Sequence, residues 1–375
     1  MNFQVQVSKE RLDRTLGILN HALNKRVTLP ILQHVLMAVE DREMTLKATD
    51  MELSFEAVIP VEASGSRLSA IPGKKFIDTV RVYPEGMLTL EWPDSGNRLW
   101  LRTKGFNTEH NIQPGEGFPE LSRPEAGTPK VDIPGHVLAK AIHLGSISVS
   151  RDTTKPALSG VLLHFGPGFL RVVSTDGFRL AVAELPLPGS NHPEARLIVP
   201  KRALDTLVPT FQSEATVHLC WDDRSLFAEI PGLKVSTRRV VGNYPAYEKV
   251  LPSDLPRRVV LDREHFLQTL RIVGLKKDDY NKNVRLFFEY PNLRVFFQHP
   301  DEGVNQGTLS FSGDEQPLEL GFNIDHLLEM LERLPGTEAE YQFRDEVGQG
   351  IFRSPSLEDL SFRYILMPVK FANPG

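Results

Sequence analysis

Two Thr-Asp pairs, Thr49-Asp50 and Thr175-Asp176, are the places where this 375-residue chain could hold a reactive carboxylate. They head alternating apolar runs, LKATDMELSFEAVIP from Leu46 and VVSTDGFRLAVAELP from Val172. A catalytic carboxylate usually occurs once in a protein, whereas a turn device recurs with its fold. Short polar side chains that accept hydrogen bonds from nearby backbone N–H groups suit such a turn. Recurrence at equivalent places therefore predicts turns, not acid–base chemistry. The PGKK stretch at Pro72 lacks the upstream glycine spacing of a phosphate loop, and neither Ser nor Thr follows its lysines. No G-x-S-x-G, H-E-x-x-H or Cys-x-x-Cys occurs. His136, His143, His265 and His326 fall on predicted helices but do not recur at i, i+4 with a carboxylate, so they predict no metal site. The single cysteine, Cys220, can form neither an internal disulfide nor a thiolate cluster, and its neighbours Leu219 and Trp221 predict a buried strand position. The acidic clusters at Asp41, Asp222 and Ser312 lie between strand patterns and are most simply solvated loops. The expectation is a protein with no catalytic centre, no metal and no cofactor.

The basic residues are more informative than the average charge. With 48 acidic and 43 basic residues the net charge of −5 argues, as an average, against a nucleic-acid partner. Yet cations gather on and beside predicted helices: Lys9, Arg11, Arg14, Lys25 and Arg26, then Lys74, Lys75 and Arg81. Further along come Lys140, Arg151, Lys155, Lys201 and Arg202, and finally Arg263, Arg271, Lys276 and Lys277. Lys and Arg solvate many helices, and one such helix would mean nothing. Repetition over related helices suggests a positively charged side. Few Asn, Gln or aromatic residues accompany these cations, so such a surface would hold phosphate without reading bases.

The elements that must position these groups come in repeats. A strand, a Pro or Asn, and an amphipathic helix recur as SAIPGKKFIDTV from Ser69, LIVPKRALDTLV from Leu197 and LGFNIDHLLEML from Leu320. A second helix recurs as SKERLDRTLGIL from Ser8, IPGHVLAKAIHL from Ile133 and LDREHFLQTLRI from Leu261. Both series step by roughly 125 residues, a domain-scale period. Short alternating runs between them, such as MLTLEW, RLWLRT, FLRVV and LFAEI, read as antiparallel strands. The third copy, near RVFFQHPDEG, has lost its Thr-Asp. The fold class is therefore α+β, in three repeated modules expected at 1–122, 130–251 and 256–375, with boundaries in the Pro-rich LSRPEAGTPK and VLPSDLPRR. No apolar run approaches a membrane span, and MNFQVQVSKE lacks a signal-peptide profile, so a cytoplasmic location is expected.

Seven segments in order carry a family resemblance: KRVTLPIL, ATDMEL, IPGKKF, STDGFRLAV, IVPKRAL, NYPAYEKVLP and YILMPVKF. Over essentially its whole length the chain resembles the bacterial DNA polymerase III beta subunit, the DNA sliding clamp family. The resemblance implies a pseudo-six-fold ring made by a head-to-tail homodimer, lined by helices and threaded by double-stranded DNA. It implies a processivity factor that tethers the replicative polymerase alpha subunit, the clamp loader and other clamp-motif proteins. From the basic residues on and beside the predicted helices, the expected DNA-facing set is Lys25, Arg26, Lys74, Lys75, Arg151, Lys155, Lys201 and Arg202. The partner-peptide pocket the resemblance implies comprises Leu158, Thr175, Gly177, Phe178, Arg179 and Leu180, with Pro245, Lys249 and Val250. The tail would add Ile365, Leu366, Met367, Pro368, Val369, Lys370 and Phe371.

Several residues depart from the family pattern. Phe178 stands where histidine is frequent, and Lys249 where arginine is common, which loses the planar fork. Pro156 and Ala157 replace residues that are tyrosines in well-known members, so no aromatic DNA contact is carried over. The chain continues past Phe371 as Ala-Asn-Pro-Gly. A paralogue or phage-encoded clamp stays open on these grounds. So does a different function class, a clamp-fold adaptor that binds peptides without encircling DNA.

Overall fold

The structure, a computed structural model, describes residues 3–23, 29–93, 97–189, 192–278 and 280–369. Lys25, Arg26, Lys370, Phe371 and the Ala-Asn-Pro-Gly end lie outside the described residues. The first module runs β1 (Phe3–Ser8), α1 (Lys9–Leu19), β2 (His34–Glu40), β3 (Glu43–Thr49), β4 (Leu53–Pro60), β5 (Glu62–Ala63), β6 (Ser66–Pro72), α2 (Gly73–Val82), β7 (Met87–Trp92), β8 (Arg98–Thr103) and β9 (Phe106–Asn111). The second runs β10 (Lys130–Ile133), α3 (Gly135–Gly145), β11 (Gly160–Gly166), β12 (Phe169–Thr175), β13 (Arg179–Pro186), β14 (Ala195–Pro200), α4 (Lys201–Phe211), β15 (Val217–Trp221), β16 (Ser225–Ile230) and β17 (Leu233–Arg238). The third runs β18 (Arg257–Asp262), α5 (Arg263–Val273), β19 (Asn283–Glu289), β20 (Asn292–His299), β21 (Gly303–Gly313), β22 (Leu318–Asn323), α6 (Ile324–Arg333), β23 (Glu338–Phe343), β24 (Gly350–Arg353) and β25 (Ser361–Leu366). The order strand, helix, four strands, helix, three strands thus occurs three times, with β5 as an addition in the first.

The helices begin where the sequence signals lie. Ser8 Oγ accepts from the Arg11 N–H, Asp262 Oδ1 from that of His265, and Asn323 Oδ1 from that of Asp325, each satisfying an orphan amide of the first turn. Pro72 and Pro200 sit one residue before their helices, at φ −54 and −56, a torsion preset for entry. Each helix buries a stripe at helical period, such as Phe76, Ile77 and Val80 on α2 and Ile324, Leu327, Met330 and Leu331 on α6.

Strand pairing divides the chain into two compact units that do not follow the module boundaries. The unit formed by residues 1–134 and 213–239 holds a five-stranded sheet, β5-β1-β7-β8-β9, and an eight-stranded sheet, β10-β15-β16-β17-β4-β3-β2-β6. Within it β17 of the second module lies antiparallel to β4 of the first, Val235 opposite Phe55. The other unit, residues 135–212 and 240–375, holds a twelve-stranded sheet in which β13 of the second module pairs with β25 of the third, Leu180 opposite Ile365. In both units the fourth strand of one module is bonded to the last strand of the next.

The Thr-Asp pairs are turn devices, as their recurrence predicts. Thr49 Oγ1 accepts from the Met51 amide, and Asp50 Oδ1 from those of Glu52 and Leu53. Thr175 and Asp176 repeat this with Gly177, Phe178 and Arg179. In the third module His299 substitutes, its Nδ1 accepting from the Asp301 and Glu302 amides. Two expectations need correction. Lys9 is buried beside Asp13 and is no part of an exposed cationic stripe. Cys220 lies on a strand as expected but is only half-buried, because alternation along β15 turns Leu219 and Trp221 into the core and the cysteine away from it. Asp50→Ala and Asp176→Ala each strip an acceptor from two amides and are expected to lower the thermal midpoint by about 2–4 °C per kcal/mol lost, measured by calorimetry.

Candidate functional site

The joint between β13 and β25, inside the twelve-stranded sheet, carries an apolar face with the chemistry of a binding groove. Helix α3 packs on the Val172 side of β12, where an added Cβ on Gly145 would meet Val172. Alternation places Val173 on the other face, together with Leu162, Leu180, Val182, Ile198, Ile351 and Ile365. This second face is aliphatic where a solvated sheet face would be polar. The chain leaving the second module runs back across it: Tyr247 is fully buried there, and Val240, Tyr244, Leu251 and Leu255 pack alongside.

The residues implied by the family resemblance divide between floor, rim and support. Leu180 and Ile365 belong to the floor. Phe178 at 69% and Met367 at 43% exposure stand at the rim, joined by the Met367 N–H donating to the Phe178 carbonyl at 3.2 Å. Pro245, Lys249 and Val250 are exposed along the crossing segment, and Leu158, Pro368 and Val369 are half-buried. Arg179 and Leu366 are opposite partners one position out of phase with Leu180 and Ile365, so they point to the helix side and do not line the floor. Sequence reasoning missed Ala157, Val240, Tyr244 and Tyr247; the apolar pattern of the last three, interrupted by prolines, resembles a linker more than a core.

Two polar networks fix this arrangement. Arg179 is buried with Asp176 at 2.9 Å, Glu329 of α6 at 2.6 Å and the Tyr364 hydroxyl at 3.2 Å, which ties the Phe178 turn to a helix of the third module. Burial opposes its charge, but Tyr364 and Glu329 outweigh that and hold the guanidinium above its ordinary range. On the groove side the Tyr247 hydroxyl lies 2.7 Å from His164 Nδ1 and accepts from Arg171 at 3.4 Å, while His164 Nε2 faces Glu194 at 3.4 Å. Burial, with Arg196 beside it, pushes the imidazole below its usual range against the pull of Glu194 and Glu248.

The proposed DNA-facing cations are surface residues tempered by carboxylates. Lys74 and Lys75 are exposed on α2, Lys74 being 3.9 Å from Asp78. Arg151 is 94% exposed with Glu329 at 3.6 Å, Lys155 is exposed, and Lys201 pairs with Asp205 beside the exposed Arg202. Exposed pairs of this kind contribute about 0–1 kcal/mol, so they open readily for a phosphate. Other helix cations serve the fold. Arg263 donates to the Leu331 and Gly336 carbonyls, and Lys277 is held by Asp325. Among the described residues no group of three or more His, Cys, Asp or Glu side chains is arranged to hold a metal ion, and no helix is long and apolar enough to cross a membrane.

Three copies of one strand-and-helix order, joined by sheet pairing, define a DNA-clamp type of fold. Solved structures agree: the DnaN sliding clamp of Pseudomonas aeruginosa, crystallised with griselimycin, superposes with a TM-score of 0.91 at 21% identity, covering 99% of this chain and all of that one. The DNA polymerase III beta subunit of Thermotoga maritima superposes at 0.88 with 24% identity over 99% of this chain and 100% of its own. In sequence, the beta sliding clamp of Caulobacter vibrioides is 24% identical, covering 98% of this chain and 100% of the relative. A beta sliding clamp homologue of Streptomyces muensis is 25% identical, covering 99% and 100%. The profiles of the N-terminal, central and C-terminal domains of the DNA polymerase III beta subunit match residues 1–121, 132–246 and 248–370 in turn. The chain belongs to the DNA polymerase III beta subunit family, the beta sliding clamps.

The His164 shift makes a pH prediction. Its folded pKa is lowered, so the native state binds fewer protons than the unfolded one. The stability it supports is complete above the ordinary histidine value of about 6.5 and is lost as pH falls through and below it. The thermal midpoint of the native chain is expected to fall more steeply from pH 7.5 to 5 than that of His164→Gln. Parallel curves would show that this imidazole does not titrate with unfolding.

Proposed function

We propose that this chain is a non-catalytic processivity clamp: two copies, head to tail, close a ring around duplex DNA and hold polymerase and other partners to it through the β13–β25 groove. The observation that carries the ring is the repeated joint. The fourth strand of the first module bonds the last strand of the second, and the fourth strand of the second bonds the last of the third. The series leaves β21, the fourth strand of the third module, and β9, the last strand of the first. β9 is the edge of its sheet, and the Gly303–Ser310 part of β21 pairs only with β20 among the described residues. Open edges are costly unless covered. A second copy would cover both, β9 of one against β21 of the other, and a two-fold assembly of this kind closes.

Apolar residues support the same pairing. Phe106 on β9 is 59% exposed, and Ile272, Leu275 and Val304 beside β21 are 62%, 78% and 48% exposed. Burying such side chains contributes roughly 1.5–3 kcal/mol each. In this reading the modules remain the units expected from sequence, at 1–122, 130–251 and 256–375, and the protein acts in the cytoplasm. Lys25, Arg26, Lys74, Lys75, Arg151, Lys155, Lys201 and Arg202 would meet phosphates without regard to sequence. The aliphatic face beside Tyr247 suits an apolar peptide anchor from the polymerase alpha subunit or the clamp loader, with Phe178 and Met367 gripping its flanks.

Light scattering is expected to give a dimer for the native chain and a monomer for Phe106→Glu. The dimer, once loaded on a nicked circle, should remain until the circle is cut. A monomer that binds clamp-motif peptides yet never stays on the circle would instead favour a peptide adaptor. Removal of Met367 to Gly375 is expected to abolish peptide binding and spare the dimer; unchanged peptide affinity would place the groove elsewhere. Charge reversal at Arg26, Lys74 and Lys155 together should shorten retention on DNA and flatten its salt dependence.

A further inference from the structure

The β4–β17 joint repeats the β13–β25 joint bond for bond. The Arg238 N–H donates to the Glu52 carbonyl at 2.8 Å just as Met367 does to Phe178 at 3.2 Å. The chain leaving the first module crosses the sheet as Phe118-Pro119-Glu120-Leu121, as the chain leaving the second does with Tyr244-Pro245-Ala246-Tyr247. The floors differ. Where the second joint has Val173, Leu180 and Val182, the first has Lys47, Ser54 and Glu56, with Lys47 and Glu56 paired at 3.0 Å. The fillers differ too. Tyr247 closes the second joint, but its counterpart Leu121 is smaller and only half-buried. Beneath it lies a cavity of about 380 Å³, floored by Ser54, Phe227, Cys220 and Ser236 and roofed by Leu121 and Pro124.

We propose that this cavity is a second binding groove, which accepts a short peptide segment carrying an acidic residue next to an apolar one. The comparison that reveals it rests on reading the β13–β25 joint as a partner groove, but the cavity and its charges stand by themselves. The apolar side chain would lie over the Phe227 ring between Leu121 and Pro124, in a volume that holds one or two side chains. The acidic residue follows from charge complementarity. The carboxylates lining the cavity already have partners: Glu56 has Lys47 and Arg123, Asp132 is hydrogen-bonded to His218 at 2.7 Å, and Glu229 has Lys234 at 3.6 Å. Lys130, on the edge strand β10 beside Cys220, pairs with no carboxylate among the described residues, and Arg123 is 74% exposed on the roof. An incoming carboxylate would meet Lys130 and would share Arg123 with Glu56. A basic segment would meet Arg123, Lys130 and Lys234, while Glu56 and Glu229 already have cations. The same polarity sets the grooves apart, since a wholly aliphatic anchor suits Leu180 and Ile365 but would cover the unpaired Lys130 ammonium and the exposed Arg123 without giving either a partner.

Cys220 supplies the readout, being the single cysteine of the chain and part of the cavity floor. Its alkylation by iodoacetamide is followed by mass spectrometry on the full-length protein with the probe Ac-Glu-Leu-Leu-Gly-NH2 or its counterpart Ac-Lys-Leu-Leu-Gly-NH2. The acidic probe is expected to slow alkylation about threefold at a concentration of twice its Kd, and the basic probe to leave the rate unchanged. Lys130→Glu, an exposed change, should abolish protection by the acidic probe. Equal protection by both probes, no protection by either up to about 10 mM, or protection that survives Lys130→Glu would each overturn the proposal. A chain ending at Leu366, which lacks the rim of the other groove, should still show the protection, so failure of the partner-groove reading and failure of this one give different results.

Discussion

The constraint on which the rest depends is that a β-strand edge must be paired. Among the strands that each module's own segment leaves half-bonded are its fourth and its last, while others, such as β6, β10, β14 and β22, end their sheets. Backbone N–H and C=O groups left without partners cost about as much as a lost hydrogen bond, and an open edge invites foreign strands. The chain answers this twice internally, at β4–β17 and β13–β25, so that the sheets run through the module boundaries. This is why the compact units and the sequence repeats do not coincide. In the proposed reading the same requirement makes β9 and β21 edges that another copy of the repeat would match in kind, and ring formation would follow from hydrogen-bond accounting before any apolar area is considered.

Once two joints share one backbone, their side chains are free to diverge, and the divergence sets their chemistry. The Thr-Asp turn is retained at both because it satisfies three amides whatever the neighbouring residues are. At its tip Met51 takes φ 75 where Gly177 takes φ 96, so the left-handed geometry is kept even at the expense of a non-glycine residue. Beyond the turn the copies part. Leu53 becomes Arg179, which clamps the turn to α6, and Ser54 and Glu56 become Leu180 and Val182, which turn a solvated face into an apolar one. Two or three substitutions per strand thus distinguish a polar joint from an aliphatic groove.

Much of this was legible in the sequence. The six α-helices among the described residues announce themselves by 3.6-residue periodicity and by Ser8, Pro72, Pro200, Asp262 and Asn323 at their starts, and recurrence correctly marked Asp50 and Asp176 as turn formers. What was not legible depends on register. A carried-over list cannot distinguish Arg179 from Leu180, yet one step along β13 sends the first to a helix and the second to the groove floor. Cys220 failed for the same reason, since apolar neighbours in a strand place a residue on the opposite face, not among them. Lys9 failed because an i, i+4 partner, Asp13, lets the lysine stem lie against the core, which a count of basic residues cannot register. Tyr247 was missed because prolines around it signal a linker, and here the linker is itself part of the core.

The pairing of the surface cations bears on what kind of DNA contact such a chain can make. A guanidinium or ammonium already 3 to 4 Å from a carboxylate is partly neutralised, and at exposure like that of Arg151 or Lys74 the pair is screened over about 8 Å at physiological salt. A phosphate that replaces the carboxylate gains little over it, so each contact is weak, and exchange between neighbouring phosphates leaves the energy nearly unchanged. An unopposed cationic lining would bind the duplex firmly and resist movement along it. In the proposed reading, cations shared with Asp78, Asp205 and Glu329 would instead give a shallow potential, and retention would come from closure of the ring and not from affinity. The acidic net charge of the chain is, on this argument, part of the same device and no obstacle to it.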